Sequence, residues 1–453
     1  MAKVKEMTSG PCMPLILNFA LPLLLGNMLQ QTYSLVDAAI VGQTLGINAL
    51  AAVGAGSSVI FLILGFCNGC CGGFAIPVAQ KFGARDYRSM RLLVNASLRI
   101  AAVSSVVIAI ITSLMCPYIL HWMQTPDEIF DDANIYLIIT FAGIPATFFY
   151  NLLSSIIRAL GDSTTPFWFL LFSTVLNIVL DLVCIMVLHW GVAGAAIATV
   201  TAQGVSALLC YVFMTTRFEV LKSQEGDGRL HVLKQARTLL SVGVPMGLQF
   251  SITAIGSIML QSSNNALGAE CISAFTAAMR IKMFCMTPLE SLGMAMATFC
   301  GQNYGAGLPH RISAGIKSAI KLMLGYSAVM MVLQWTLSEQ ATMMFVAPSE
   351  TAVIGYSARF LHVSVSFYPV LGTLCILRYS IQGAGYTKLA MFSGVSEMVA
   401  RVLVSLFAVP VWKFWAVCFG DPTAWIFAVA FLVPAAIYVD RQLRHTLQKS
   451  PQS

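Results

Sequence analysis

The sequence predicts an all-α polytopic membrane protein with twelve transmembrane helices in two six-helix lobes. Of its 453 residues, 58% are hydrophobic and only 10% are charged, and the mean hydropathy is +0.79. Soluble domains usually carry about 25% charged residues, so a soluble fold would lack polar surface. Two further observations support the prediction: the apolar residues fall into twelve stretches, and the second half of the chain repeats the first.

Each apolar stretch is long enough to cross a bilayer, which takes about 20 mostly apolar residues. No connecting loop is long enough to hold a soluble domain, and the longest polar stretch, residues 215–237, joins segments six and seven. We therefore expect an N-terminal lobe over residues 1–222 and a C-terminal lobe over residues 223–453. The predicted segments cover residues 14–42, 50–77, 91–116, 133–158, 165–188, 191–215, 236–262, 272–299, 312–337, 351–380, 387–411 and 423–440.

The charges in the loops predict the orientation of the chain. Basic residues gather in alternate loops, whereas the opposite loops hold one base, Lys413, and mostly acids. The positive-inside rule then predicts a multi-pass protein of the plasma membrane with both termini cytoplasmic. Because topology accounts for the net charge of +7, we expect no nucleic-acid partner. The predicted cytoplasmic bases are Lys3, Lys5, Lys81, Arg85, Arg88, Arg91, Arg158, Arg217, Lys222, Arg229, Lys234, Arg237, Arg311, Lys317, Arg378, Lys388, Arg441, Arg444 and Lys449, and the predicted external acids are Asp127, Glu128, Asp131, Asp132, Glu270, Glu339, Glu350 and Asp421.

The internal repeat has a separation of about 222 residues. Residues 80–84 and 302–306 both read Gln-x-aromatic-Gly-Ala, and the prolines at 22 and 145 correspond to prolines at 245 and 369. Each repeat holds six spans, an even number, so both halves enter the membrane in the same direction. A pseudo-two-fold axis along the membrane normal follows, as in two-lobed secondary transporters.

A candidate cation site is formed by polar residues inside the apolar segments. Asp37 is the only charge between Glu6 and Lys81, and a carboxylate at such a position costs on the order of 3 kcal/mol. Asn177 and Asp181 share one helix face at i and i+4, and Thr199 on the next segment reaches the same height. A straight first segment places Asp37 higher, about 28 Å above the inner membrane edge, and tilt or a kink at Pro22 would lower it.

A site made of two carboxylates, an amide and a hydroxyl is suited to either of two coupling ions, Na+ or H+. Oxygen ligands of this kind bind Na+, and paired carboxylates in a medium of low dielectric also carry protons. The residue types fit both ions. We therefore expect cation coupling, with a possible Na+ site, at Asp37, Asn177, Asp181 and Thr199.

The C-terminal lobe carries a different set of charges. Glu397 and Arg401 are again i and i+4, which predicts a buried, self-neutralising structural pair. Arg401 corresponds to Asn177 in the repeat, so we expect no second copy of the cation site. Arg280 and Lys282 are expected near the outer interface, where long basic side chains reach the headgroups.

The substrate cavity is expected to have adaptable apolar walls, because methionine thioethers repack easily around varied ligands. Arg359 and His362 in segment ten have no assigned role. The candidate cavity residues are Tyr33, Met259, Met283 and Glu290.

The cysteines and glycines do not indicate a bound metal or nucleotide. Cys67, Cys70 and Cys71 have a C-x-x-C-C spacing, but no His or acid lies nearby, so small buried thiols are the better interpretation. The Gly-rich run at 69–73 favours close helix approach rather than phosphate binding. No Walker sequence is present, and we expect no cofactor apart from a coupling ion, H+ or Na+.

Several motifs together resemble one transporter family. They are the run at 33–54 that begins Tyr-Ser-Leu-Val-Asp, the turns at 80–84 and 302–306, the Gly161-Asp162 turn, and Asn-x-x-x-Asp at 177–181. From about residue 14 to 440 the chain is similar to the multidrug and toxic compound extrusion (MATE) transporters. The acids in segments one and five, with none in segment seven, resemble the DNA-damage-inducible-F-like branch.

The resemblance implies an antiporter rather than an enzyme. Organic, cationic or amphiphilic drugs would be exported by alternating access, driven by a gradient of H+ or Na+. Small organic substrates and membrane lipid are then the expected partners, and we expect a monomer.

Three alternatives remain at this point. A lipid-linked sugar flippase of the same superfamily would be expected to have a basic cavity and extra helices. A major-facilitator transporter also has two six-helix lobes, but residues 83–86 mimic its characteristic loop only loosely. An intramembrane enzyme would need a nucleophile or metal set on facing spans, and no His lies inside segments one to eight except at loop edges.

Overall fold

The computed structural model describes residues 6–221 and 232–448 and is helical throughout, with sixteen α-helices in these ranges. Lys3, Lys5, Lys222, Arg229 and Lys449 and the predicted lobe boundary at 222/223 lie outside the described residues. The helices are α1 Cys12–Leu45, α2 Ile47–Ala55, α3 Ser57–Gly83, α4 Tyr87–Trp122, α5 Asp127–Ala142, α6 Ile144–Ala159, α7 Thr164–Leu182, α8 Gly191–Arg217, α9 Val232–Asn265, α10 Ala269–Gly305, α11 Pro309–Met343, α12 Thr351–Ser366, α13 Tyr368–Gly383, α14 Thr387–Leu403, α15 Val409–Trp412 and α16 Phe414–Gln448.

The prediction of an all-α polytopic membrane protein is confirmed. Within the described ranges, ten helices are long and apolar enough to cross a membrane, and the number of candidate spans is twelve if each of two bent helix pairs counts as one. The bends are 43° between α5 and α6 and 51° between α12 and α13. Many helices extend beyond the predicted apolar stretches, because polar residues at the span ends continue the helix. The last segment, predicted at 423–440, is the clearest case, since α16 begins at Phe414 and ends at Gln448.

The two bends have the same chemical origin. Pro145 and Pro369 lie at the second position of α6 and α13. Proline has no N–H to donate and its ring clashes with the preceding turn, so the helix ends and restarts at that point. The repeat predicted that these prolines correspond, but not that each one breaks a span.

The backbone itself carries the repeat. Gly46 and Gly268 have φ of 88° and 105°, and Gly161 and Gly385 have φ of 90° and 93°, a region that favours glycine. A five-residue π-helical turn follows α7 at Val183–Val187 and another follows α14 at Val404–Ala408. The two halves therefore share their turns and their helix irregularities.

The chain forms two compact units. Of the described residues, the first unit contains residue 6, residues 25–221 and residues 232–247, and the second contains residues 7–24 and 248–448. Helices α1 and α9 each contribute residues to both units. Phe141 and Phe148 are buried in the core of the first unit, and Phe299, Tyr368 and Trp425 in that of the second.

Candidate cation-coupling site

Three helices of the first unit bring the predicted polar residues together. Tyr33 and Asp37 come from α1, Asn177 and Asp181 from α7, and Thr199 from α8. The Tyr33 Oη and Thr199 Oγ1 atoms are 3.1 Å apart, which is hydrogen-bond distance. With its amide oriented to satisfy both ends, Asn177 donates to Asp181 Oδ2 at 2.9 Å and accepts from the Thr199 N–H at 3.1 Å.

The two carboxyl groups are close enough to hydrogen-bond to one another. Asp181 is 1% exposed and Asn177 is 2% exposed. On each aspartate, Oδ1 is buried and has no hydrogen-bond partner within the part of the chain that the structure describes. A buried acceptor of this kind is costly, and two ionised carboxylates at this separation repel strongly. A shared proton or a cation relieves both problems.

The contact between the two acids requires the first segment to tilt or bend. A straight first segment along the membrane normal places Asp37 well above Asp181, whereas the structure brings the two carboxyl groups into contact range. Tyr33, one turn before Asp37, is already in contact with Thr199. This agrees with the lowering of Asp37 that helix tilt or a bend at Pro22 produces.

Tyr136 is a residue of the site that the sequence did not indicate. It lies on α5 and interacts electrostatically with both Asp37 and Asp181. Its segment contains several polar residues and acids near the outer end, so no local pattern distinguishes this side chain. Only the packing of α5 against α8 brings it to the acids.

The second unit holds a buried charge network instead. Asp421 pairs with Lys282 and with Arg401 Nε at 2.8 Å, while Glu397 pairs with Arg378 and with Arg401 Nη2 at 3.4 Å. All five side chains are less than 10% exposed. The predicted contact between Glu397 and Arg401 is therefore part of a larger network.

Three of these residues were placed wrongly by the sequence. Asp421 lies inside α16 rather than in an external loop, because α16 begins at Phe414. Arg378 lies inside α13 rather than beside a turn, because that helix continues to Gly383. Lys282 is 3% exposed and paired rather than extended to the interface. Each error came from reading a buried charge as a loop or interface charge.

The repeat makes the difference between the units explicit. Arg401 and Ser405 in the second unit occupy the positions of Asn177 and Asp181 in the first. Where the first unit has an acid pair with unpartnered oxygens, the second has bases bound to carboxylates. The candidate site is therefore present in one repeat and replaced in the other.

The residues predicted for the cavity wall lie at different places. Tyr33 belongs to the cation site through Thr199. Met259 on α9 and Met283 on α10 are 36% and 43% exposed. Glu290 is also exposed, lies within electrostatic range of Arg378 and Lys282, and forms no ion pair among residues 6–221 and 232–448.

A structural metal centre is not indicated. No group of three or more His, Cys, Asp or Glu side chains that could hold a metal occurs in the described residues. Cys67, Cys70 and Cys71 are buried free thiols. The oxygens of Asp37, Asp181, Asn177 and Thr199 fit a hard monovalent cation, which would bind as the coupling ion.

Comparison with known families identifies the chain. The sequence model described as MatE matches residues 22–183 and again residues 245–407. The chain belongs to the MatE family. This is the MATE transporter family that the motifs resemble, in which a cation gradient drives transport, and its members are transporters rather than enzymes. The double match also confirms the internal repeat.

Individual relatives of this MatE chain support the assignment. It is 30% identical over 432 residues to the probable multidrug resistance protein YoeA of Bacillus subtilis, covering 93% of this chain and 92% of YoeA. It is 28% identical over 383 residues to the probable multidrug resistance protein YpnP of the same organism, covering 84% and 85%. DNA damage-inducible protein F of Escherichia coli is 26% identical over 299 residues, covering 64% of this chain and 63% of that protein.

The MatE fold is confirmed by a solved structure. The outward-facing conformation of a multidrug resistance MATE family transporter superposes with a TM-score of 0.87. The match covers 99% of this chain and 100% of that one at 22% identity. The all-α membrane fold predicted from composition is therefore the fold that this MatE chain adopts.

Proposed function

We propose that this MatE protein exports organic drugs, cationic or amphiphilic, across the plasma membrane in exchange for H+ or Na+. The relatives YoeA and YpnP are probable multidrug resistance proteins, which supports a multidrug substrate range. The single observation that carries the coupling mechanism is the acid pair of Asp37 and Asp181, in which each Oδ1 is buried and has no hydrogen-bond partner among the described residues.

The cycle begins with the acid pair open to the outside. A proton or Na+ binds between Asp37 and Asp181, with Asn177 and Thr199 as additional oxygen ligands. Neutralising the pair removes the repulsion between the carboxylates and lets α1 pack more closely on α7 and α8. Pro22 lies inside α1, and because a proline weakens the helix there, bending at this point changes the position of Tyr33 and Asp37. Drug release follows, and the cation leaves on the cytoplasmic side.

The remaining parts of the proposal concern orientation, branch and substrate contacts. Both termini are cytoplasmic, as the loop charges favour, and the protein acts as a monomer. The acid pair in α1 and α7 supports a relation to the DNA-damage-inducible-F-like branch. Met259, Met283 and Glu290 are exposed and contact the drug, with the methionines adapting to its shape.

The test is gradient-driven drug efflux by Asp37→Asn in energised membrane vesicles. The substitution keeps the shape of the side chain and removes its negative charge, so efflux falls to the level of empty vesicles while expression is unchanged. Ser34→Ala is the matched control, because Ser34 lies on the same helix, is exposed, and bonds only to the Gln30 carbonyl. Efflux by Asp37→Asn at the rate of the control would exclude the mechanism.

A further inference from the structure

A cavity of about 480 Å³ lies in the second unit, among α11, α12 and α16. Its volume is within the range of small-molecule sites, about 300–1,000 Å³. None of the cation-site residues lines it. The side chains that matter here are Trp335 and Glu339 from α11, Arg359 and His362 from α12, and Trp415 and Phe419 from α16.

Arg359 lines this cavity without a carboxylate partner. Its guanidinium lies 4.7 Å from the centroid of the Trp415 ring and 5.8 Å from that of Tyr356. It forms no ion pair with any described residue, and neither does Glu339. A cation and an anion therefore line one cavity without pairing with each other.

The wall between these two charges is held in place by its own contacts. The His362 ring stacks on Trp335 with centroids 4.5 Å apart and planes 3° from parallel. His362 Nε2 lies 2.8 Å from Ser338 Oγ. On the opposite side, the Trp415 and Phe419 rings stack at 6.4 Å. A wall fixed in this way presents a preorganised surface to a ligand.

The cavity begins near one end of α11 and of α16 and extends along α12. Glu339 is four residues before the end of α11, Trp415 is the second residue of α16, and Arg359 is about 12 Å along α12 from its start. These ends face the side that the loop charges make external. Trp335 and Trp415 are 56% and 49% exposed, as is typical of tryptophans at headgroup depth.

We propose that this cavity binds the headgroup of an outer-leaflet phospholipid that carries a phosphate and a primary ammonium. The planar guanidinium of Arg359 binds the phosphate in the bidentate manner that arginine favours. Glu339 accepts hydrogen bonds from the ammonium, and the Trp335 face adds a cation–π contact. The acyl chains lie along the exposed faces of Trp415 and Phe419.

The charges select among headgroups. A purely anionic headgroup would meet Glu339 without compensation, and a purely cationic ligand would meet Arg359. Arg359 and Glu339 are too far apart to pair with each other. Only a zwitterionic headgroup pairs with both side chains at once. The same phosphate and ammonium groups occur in soluble glycerophosphoethanolamine, so the test must separate the lipid from the free headgroup.

The test is native mass spectrometry of the delipidated full chain in detergent, titrated with phosphatidylethanolamine, phosphatidylglycerol or glycerophosphoethanolamine. Arg359→Gln is expected to weaken phosphatidylethanolamine binding about tenfold. Glu339→Gln, at an exposed position that does not threaten folding, is expected to abolish the preference for phosphatidylethanolamine over phosphatidylglycerol. Arg280→Gln is the matched control, since Arg280 is an exposed arginine on α10 and does not line the cavity; its binding should equal that of the wild type.

Three results would overturn the proposal. Equal phosphatidylethanolamine binding by Arg359→Gln and Arg280→Gln would exclude the proposed contact between Arg359 and the phosphate. An unchanged headgroup preference in Glu339→Gln would exclude the proposed contact between Glu339 and the ammonium. Displacement of the lipid by an equal concentration of glycerophosphoethanolamine would show that the site takes the soluble headgroup instead.

Discussion

At the scale of single residues, the acid pair and the charge network solve the problem of buried charge in opposite ways. Asp37 and Asp181 lie together, and one oxygen of each has no partner in the part of the chain that the structure describes, whereas Asp421 and Glu397 are each bound by two bases. A buried charge with fixed partners stabilises the protein only while all of those partners are present. An acid pair without them changes its energy whenever a cation arrives or leaves, which is what coupling requires.

Thr199→Val is expected to weaken cation coupling about tenfold. Valine has the shape of threonine but no hydroxyl, so Tyr33 Oη and the Asn177 amide both lose a partner, and a lost hydrogen bond to a buried group costs about 1–3 kcal/mol. The measurement is the cation concentration that gives half-maximal drug efflux. Thr44→Val is the control, because Thr44 is exposed and bonds only to its own helix. Equal half-maximal concentrations for the two variants would contradict the assigned role of Thr199.

Asp421→Asn is expected to destabilise the protein by about 3–5 kcal/mol. It leaves Lys282 buried without a carboxylate and Arg401 with Glu397 alone. Lys282→Met should cost less, since the remaining two bases and two acids still balance. Adding Lys282→Met to Asp421→Asn removes the buried ammonium that has lost its carboxylate, so the double variant should recover part of the lost stability, as measured by thermal unfolding in detergent.

The control for this network is Asp440→Asn. Its pair with Arg444 is 39% and 58% exposed, and exposed pairs are worth about 0–1 kcal/mol. If Asp421→Asn unfolds no earlier than Asp440→Asn, the network has no stabilising role.

At the scale of helices, close backbone approach holds α3 to the first part of α9. A Cβ on Gly73 would meet the Gly243 nitrogen at 3.0 Å and the Val242 carbonyl oxygen at 3.1 Å. Both are backbone atoms, which a rotamer change cannot move. The Gly-rich run at 69–73 thus serves helix packing, as small residues do in membrane proteins.

Gly73→Ala is expected to destabilise the protein by about 1–3 kcal/mol, because overpacking forces the two helices apart. Gly54→Ala is the matched control, since a Cβ at Gly54 meets nothing within 4 Å. Alanine is otherwise the better helix former, by about 1 kcal/mol, so the control should keep or gain stability. Equal thermal midpoints for the two variants would show that α3 and α9 tolerate separation.

The sequence predicted the helices better than their irregularities. Twelve spans follow from hydropathy, because hydrocarbon requires long apolar helices. Hydropathy does not predict the breaks at Pro145 and Pro369 or the early start of α16, because apolar residues continue through these positions. The contact of Asp37 with Asp181 required helix tilt, and Tyr136 required tertiary packing, neither of which a single sequence encodes locally.

At the scale of the whole molecule, the loop charges predict which ends are external. Ser349→Cys in the turn before α12 should react with a membrane-impermeant maleimide in intact cells. Ala84→Cys between α3 and α4 should react only after the membrane is opened. Both positions are exposed, and labelling of the parent protein gives the background from its twelve cysteines. Labelling of Ala84→Cys in intact cells would reverse the proposed orientation.

The two repeats of the chain share their backbone but differ in their buried polar residues. The backbone is duplicated down to positive-φ glycines and π-helical turns. The matched motifs predicted the repeat itself, but not these details of the backbone. The candidate cation site is not duplicated, since Asn177 and Asp181 correspond to Arg401 and Ser405. The sequence predicted that asymmetry and the partner Glu397, but the second partner of Arg401, Asp421, is a charge that it assigned to a loop.

The most direct test of the proposed mechanism is drug transport by the purified protein in proteoliposomes, with a pH gradient and a Na+ gradient imposed separately. We expect one of the two gradients to drive drug movement by the wild type, and Asp37→Asn and Asp181→Asn each to abolish that response. Drug transport that responds to neither gradient, or that continues at the wild-type rate in these variants, would contradict coupling through the acid pair.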